Sequence, residues 1–188
     1  MRRIEPRRPV ACRPAVLILV RDKREHMTDV ENVNPDESEC KDGFRISTDP
    51  AQLDVALIHD FLSRRSYWAG GIPLETVRRS IENSLCFGLY HGRRQVGFAR
   101  IVTDKSTFAY LGDVFVLEEF RGRGLGKWLL EQVVSHPDLQ GLRRIILGTR
   151  DAHGLYEQFG FRALSSPERF MEIHHPQIYG PTKNESGA

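Results

Sequence analysis

Between Val114 and Leu130 the chain passes from an apolar run, through Arg121-Gly-Arg-Gly-Leu-Gly126, into leucines at helical spacing. That order reads as a β-strand, a glycine-broken loop and the start of an amphipathic helix. Glycines let the backbone turn sharply and approach a ligand with no Cβ in the way. The first N–H groups of a helix have no intrahelical partner, and the helix dipole places partial positive charge there, so the loop suits a phosphate. Arg121, Arg123 and Lys127 bring full positive charge to the same place. A pyrophosphate cradle is the expectation that the flanking segments must specify.

Before the loop, Phe44-Arg-Ile-Ser alternates like a short half-buried strand, and Thr48-Asp49-Pro50 is a helix-start signal ahead of Leu53, Ala56, Leu57 and Phe61. Arg64 to Pro73 breaks that helix, and Pro73 opens a second one with Leu74, Val77 and Ile81 on one face. Leu85–Tyr90 and Gln95–Val102 form a hairpin about His91-Gly92, and a third strand runs from about Thr107 to Leu117. Beyond the loop, Leu125, Leu129, Leu130 and Val133 line the inner face of a helix that Pro137 and Gly141 end. Arg143–Gly148 is then a buried-type strand, parallel to the one before the helix because a helix separates them. A short helix over about 152–159 stops at Gly160, and 161–164 and 169–174 read as the last strands. The fold class is α/β (α+β mixed). It has a mostly antiparallel mixed sheet, one parallel β-α-β crossover and about four helices.

The flanks differ from this core. Residues 1–43 read as a disordered leader, arginine-rich to position 26 and acidic thereafter, with Met27 as an alternative start. Residues 44–176 form the domain, and 177–188 a polar tail. The apolar run Ala15–Val20 is too short for a secretory or membrane segment. A net charge of +2 on 188 residues gives no reason to expect nucleic-acid or membrane partners. Cys12, Cys40 and Cys86 fit neither a disulfide framework nor a zinc site, which makes a cytoplasmic setting the expectation. The adjacent His174 and His175 are a poor metal pair, so no metal is expected.

Three known glycine loops compete for the 121–127 segment. A Walker A loop needs a Ser or Thr after Gly126-Lys127, where Trp128 stands. A Rossmann fingerprint needs GxGxxG after a first strand, whereas Gly122, Gly124 and Gly126 give GxGxG after a fourth. Arg121, Gly124 and Gly126 instead meet the spacing R/Q-x-x-G-x-G/A. About thirty residues on, Asp151-Ala-His-Gly-Leu-Tyr-Glu-Gln-Phe-Gly-Phe161 follows. In this order the two segments resemble the acetyl-CoA loop and the downstream tyrosine segment of the GNAT N-acetyltransferase superfamily, over roughly residues 44–175. The Tyr67-Trp-Ala-Gly-Gly-Ile-Pro73 stretch further resembles a loop of small bacterial members.

The resemblance implies a fold and a set of roles. Acetyl-CoA would lie between the strand before the loop and the strand after the helix, its arm meeting Phe115, Val116 and Leu117. Its pyrophosphate would sit on Arg121, Gly122, Arg123, Gly124, Leu125, Gly126 and Lys127. Tyr156 matches the family's general acid for the CoA thiolate, although a core position beside Phe159 and Phe161 suits it too. Asp113 is a weaker candidate for relaying the amine's proton, and a plain hydrogen-bonding role fits it as well. Tyr67 and Trp68 fall where members build the acceptor site. The implied activity is transfer of acetyl to a small-molecule or peptide amine by a monomer or homodimer. A non-catalytic acyl-CoA-binding module, or a different acyl donor or acceptor, is the alternative.

Overall fold

The computed structural model describes residues 40–180. The basic leader, Met27, the acidic run to residue 39 and the last eight residues of the tail lie outside the described residues. Six strands lie in chain order across one sheet: β1 (Cys40–Lys41), β2 (Phe44–Ser47), β3 (Leu85–His91), β4 (Arg94–Thr103), β5 (Phe108–Val116) and β6 (Arg144–Leu147). Neighbours are antiparallel except β5 and β6, which run parallel. The intervening helix forces this, because a crossover returns the chain to the same end of the sheet. Cys40–Lys41 pairs with β2 around Asp42-Gly43, so the sheet begins four residues ahead of the expected start at Phe44. Both turn residues have positive φ, 50° and 80°, the geometry that Asp and Gly tolerate in a two-residue hairpin.

Four α-helices flank the sheet: α1 (Val55–Arg64), α2 (Leu74–Glu82), α3 (Leu125–Ser135) and α4 (His153–Tyr156). The first starts later than Thr48-Asp49-Pro50 suggests. Asp49 caps only a single 3-10 turn over Pro50–Gln52, and Leu53 then extends. Asp54 is the effective cap, its carboxylate accepting from the Leu57 N–H at 3.0 Å. Its own N–H donates to the buried Gln95 side chain on β4 at 2.7 Å, which ties the helix start to the sheet. The expected faces of α2 and α3 are buried at Val77, Ile81, Leu125, Leu129, Leu130 and Val133, and Trp128 joins them, whereas Leu74, at the first position of α2, is exposed.

The strands expected over 161–164 and 169–174 do not form; among the described residues no strand follows β6. A strand pattern needs a neighbour to satisfy its backbone. Here Pro167 starts a 3-10 turn, and Phe170 lies under the Arg144 guanidinium, 4.9 Å from its ring centre. Met171 and Ile173, on the other alternation, are 98% and 90% exposed.

The ladder between β4 and β5 contains one irregularity. Phe98 pairs with Phe115 and Arg100 with Gly112, so two steps on β4 oppose three on β5. The extra residue makes a β-bulge, with Asp113 at φ 53°. Because paired residues share a face, the bulge sorts the side chains. Ile101, Ala109 and Leu111 face one way and are fully buried. Phe98 and Phe115 face the other, where the Phe115 ring stacks on Phe61 of α1 at 3.9 Å. That second face continues along Arg100, Val102, Gly112 and Tyr110, and across to Phe108 and Arg144. It is only partly covered: Val102, Phe108 and Tyr110 are each about two-fifths exposed.

Candidate functional site

After Val116 the backbone makes one 3-10 turn over Glu118–Phe120, closed by the buried Phe120, and enters the glycine loop. Gly122 and Gly124 take φ of 76° and 75°, the left-handed region in which a Cβ is costly. Gly124 is the N-cap of α3, and no side chain caps the helix. A Cβ built on Gly122, Gly124 or Gly126 would meet nothing within 4 Å, so the loop borders open space at the head of α3. The Trp128 N–H is bonded to the Gly124 carbonyl, which leaves the N–H groups of Leu125, Gly126 and Lys127 ahead of the first intrahelical bond. The Arg121 side chain turns back to donate to the Val116 carbonyl at 3.1 Å, bracing the strand end. Arg123 stands over the Phe120 ring, and Lys127 is exposed. This is a cradle of backbone donors and cations that the bare glycines keep clear.

Beside it the sheet opens. β5 and β6 pair from Phe108↔Arg144 to Leu111↔Leu147 and no further, whereas β5 continues to Val116. Gly112–Val116 therefore present a backbone edge with no strand on the β6 side. Phe115 and Leu117 bury their side chains in the core, so what they offer to the gap is backbone. An extended ligand arm can add to such an edge by main-chain hydrogen bonds. The gap leads directly into the glycine cradle.

The short helix α4 follows β6 and bears Tyr156. Its ring packs edge-on to Phe161 at 5.9 Å and is half-buried against the core. Burial pushes its pKa above the usual tyrosine value, and the phenols of Tyr67 and Tyr110 and the Asp151 carboxylate add to the effect. The phenol is therefore neutral at physiological pH.

Tyr67 and Trp68 sit in the loop between α1 and α2, about half exposed and packed edge-on at 5.0 Å. Each is tethered. The Arg150 N–H donates to the Tyr67 hydroxyl at 3.0 Å, and the Arg150 guanidinium lies 3.9 Å over the ring. Trp68 donates from Nε1 to Asp113 at 3.0 Å. The other Asp113 oxygen accepts from Arg100 Nε at 2.6 Å, and Arg100 also donates to Ser84. Side-chain exposures of 18% and 11% mark the Arg100–Asp113 pair as largely withdrawn from water. Asp113 thus ties the sheet to the loop, and both its oxygens are already engaged.

Sequence reading did not single out Arg100, Tyr110 or Arg150. The signal for the Arg100–Asp113 pair was present in Gly112-Asp113, a glycine followed by a left-handed-tolerant residue inside a strand, which marks a bulge. Tyr110 and Arg150 carry no such sign, because their positions follow from the sheet register and from a loop–loop contact. His153, His174 and His175 are exposed, and among the described residues no three metal-ligating side chains gather.

The model of the acetyltransferase (GNAT) family matches residues 54–161, more than half of the chain. The Gibberella zeae protein "Putative acetyltransferase FG08082" is 35% identical over 173 residues, covering 80% of this chain and 97% of the relative. A solved structure of a GNAT-family protein from Xanthomonas campestris is 53% identical, covers 73% of this chain and 96% of its own, and superposes with a TM-score of 0.72. A GNAT acetyltransferase from Elizabethkingia anophelis, solved with acetyl-CoA bound, shares the fold at 17% identity and a TM-score of 0.51, covering 72% of this chain and 90% of its own.

Proposed function

Since the chain belongs to the GNAT acetyltransferase family, we propose that it transfers the acetyl group of acetyl-CoA to a primary amine in a ternary complex. The observation that carries this reading is the open glycine cradle at the head of α3 beside the unpaired Gly112–Val116 edge, with the half-buried phenol of Tyr156 assigned to the reacting end. The space left by three bare glycines fits a pyrophosphate, and the unpaired edge fits an amide-bearing pantetheine arm. In this reading the N–H groups of Arg121–Lys127 hold the pyrophosphate. The backbone of Phe115, Val116 and Leu117 holds the arm. When bound, acetyl-CoA supplies the activated acyl carbon.

The amine nitrogen attacks that carbon, the C–N bond forms and the C–S bond breaks. The nitrogen releases its extra proton to solvent water, the leaving sulfur takes a proton from the protein, and solvent restores the donor. Tyr156 supplies the sulfur's proton. A raised pKa keeps the phenol protonated until it is needed, and general acid help of this kind is typically worth about 10²–10⁴-fold. The incoming amine must be neutral: starting from an ordinary lysine-like pKa of about 10.4, neutralising it at pH 7 costs about 4.6 kcal/mol. Asp113 is the weaker catalytic assignment. To take a proton it must release Trp68 or Arg100, so its geometry favours holding the acceptor wall in place.

The test is release of free CoA from acetyl-CoA across a panel of amines, with product identified by mass. Tyr156→Phe should keep acetyl-CoA affinity and lower kcat by about 10²-fold or more. Undiminished turnover in that variant removes Tyr156 from the reaction. Binding of acetyl-CoA without release for any amine favours a non-catalytic acyl-CoA-binding module.

A further inference from the structure

We infer that the C-terminal segment is a brace for the acceptor side of the site, and that Tyr179 and Gly71 are its positioning residues. This rests on the reading of Tyr67 and Trp68 as the acceptor wall. From residue 171 to 180 every side chain is exposed except that of Tyr179, which packs against the core. Two turns, from the Ile178 N–H to the His175 carbonyl and from the Gly180 N–H to the Gln177 carbonyl, fold the tail around it. The docking point is Gly71, in the loop that carries Tyr67 and Trp68. Gly71 has φ 77°, and a Cβ there would lie 2.6 Å from the Tyr179 carbonyl oxygen. Only glycine lets the two backbones meet this closely.

The tail's other anchor is Phe170 beneath Arg144. Arg144 pairs with Phe108, so it belongs to the half-open sheet face that also bears Tyr110, Val102 and Arg100. The tail therefore runs from the far edge of that face to the loop bearing Tyr67 and Trp68. In this inference the acceptor lies over the partly exposed Val102, Phe108 and Tyr110, between the aromatic pair and the tail. Within the loop, internal hydrogen bonds from Gly71 to Ser63, from Ile72 to Ala69 and from Ala69 to the Ser66 hydroxyl define the conformation that Tyr179 leans on. Removing the brace frees the wall without touching the acetyl-CoA cradle.

Two measurements test this on the full chain. The first is hydrogen exchange over residues 66–73. Exchange should quicken by about tenfold in Tyr179→Ala and in Gly71→Ala, and stay at the parental rate in Tyr179→Phe, which keeps the ring and the backbone contact. The second is steady-state kinetics with the best amine of the panel. The amine KM should rise at least about fivefold in Tyr179→Ala while the KM for acetyl-CoA stays within about twofold. A general loss of fold would move both KM values and would spoil the rescue by Tyr179→Phe. Unchanged loop exchange in Tyr179→Ala refutes the brace. Faster exchange with an unchanged amine KM refutes its part in acceptor binding. If the parent protein acetylates no amine, the acetyl-transfer reading falls and takes the acceptor part with it, while the exchange result still decides whether the tail holds the loop.

Discussion

Replacing Gly126 with glutamate sets folding and acetyl-CoA binding against each other. Gly126 is the second residue of α3, has an ordinary helical backbone and would point a side chain into open space. Glycine there costs roughly 0.5–1 kcal/mol relative to a good helix former. A carboxylate in the first turn of a helix gains roughly a further 0.3–1 kcal/mol from the dipole. The free protein should therefore be more stable by about 1 kcal/mol, a rise in Tm of about 2–4 °C for a chain of this size. With a pyrophosphate in the cradle the same carboxylate meets like charge. At about 5 Å and an effective dielectric between 20 and 80, each pair of charges costs about 1–3 kcal/mol, so affinity should fall at least about tenfold. Gly124→Glu is a poorer probe, because φ of 75° strains any side chain before a ligand is involved. The assay is a thermal melt of the free protein beside a titration with acetyl-CoA at fixed ionic strength. A variant that melts as high as its parent and binds acetyl-CoA with undiminished affinity would refute the placement of the pyrophosphate.

Two other substitutions bear on the core and the acceptor wall. Asp113→Asn keeps an acceptor for Trp68 and a residue that tolerates φ 53°, but removes the charge facing Arg100. Stability should drop by about 2 kcal/mol, below the 3–5 kcal/mol of a fully buried pair, and the amine KM should rise. The pH–rate profile should keep its shape, and loss of its acidic limb would instead make Asp113 the base. Tyr90→Phe should raise stability by about 1 kcal/mol, because the buried Tyr90 hydroxyl finds no hydrogen-bond partner among the described residues. Burial also pushes the Tyr90 pKa up to about 12 from 10.0. The folded value lies above the unfolded one, so the parent should lose stability as pH rises from about 10 towards 12. Denaturant melts across that window should show a smaller loss in the phenylalanine variant, and an equal loss would mean that Tyr90 does not titrate on unfolding.

How far these features could be read from the chain depended on whether their signal was local. The strand, glycine loop and helix around Arg121–Gly126 announce themselves by period and by residues with special backbone freedom, and so does the parallel return of β6. The start of α1 was misplaced because Thr48-Asp49-Pro50 is a genuine cap, but of a single turn. The competing cap, Asp54, draws its strength from Gln95, forty-one residues away. Phe170-Met-Glu-Ile alternates as a strand would, and nothing local says that no neighbouring strand awaits it. Likewise Arg100, Tyr110 and Arg150 come to the site only through register and packing. The tail was read as polar and loose from residue 177, yet Tyr179 docks on a loop more than a hundred residues earlier, a contact that composition cannot express.

Phe115 contributes its ring to the stack on Phe61 and its backbone to the open edge of β5. In the proposed function this edge is the rail for the acyl donor, which makes the rail part of the hydrophobic core, so that any substitution that retunes it also disturbs folding. The proposed acceptor wall is tied more lightly: Tyr67 and Trp68 are half exposed, each held by one hydrogen bond and by ring contacts, with Gly71 packed behind them. Changes there alter the acceptor side at little expense to the fold. Under the proposed function, a scaffold divided in this way exchanges one amine for another while its donor chemistry stays fixed, which makes acceptor preference the property that engineering should move most readily.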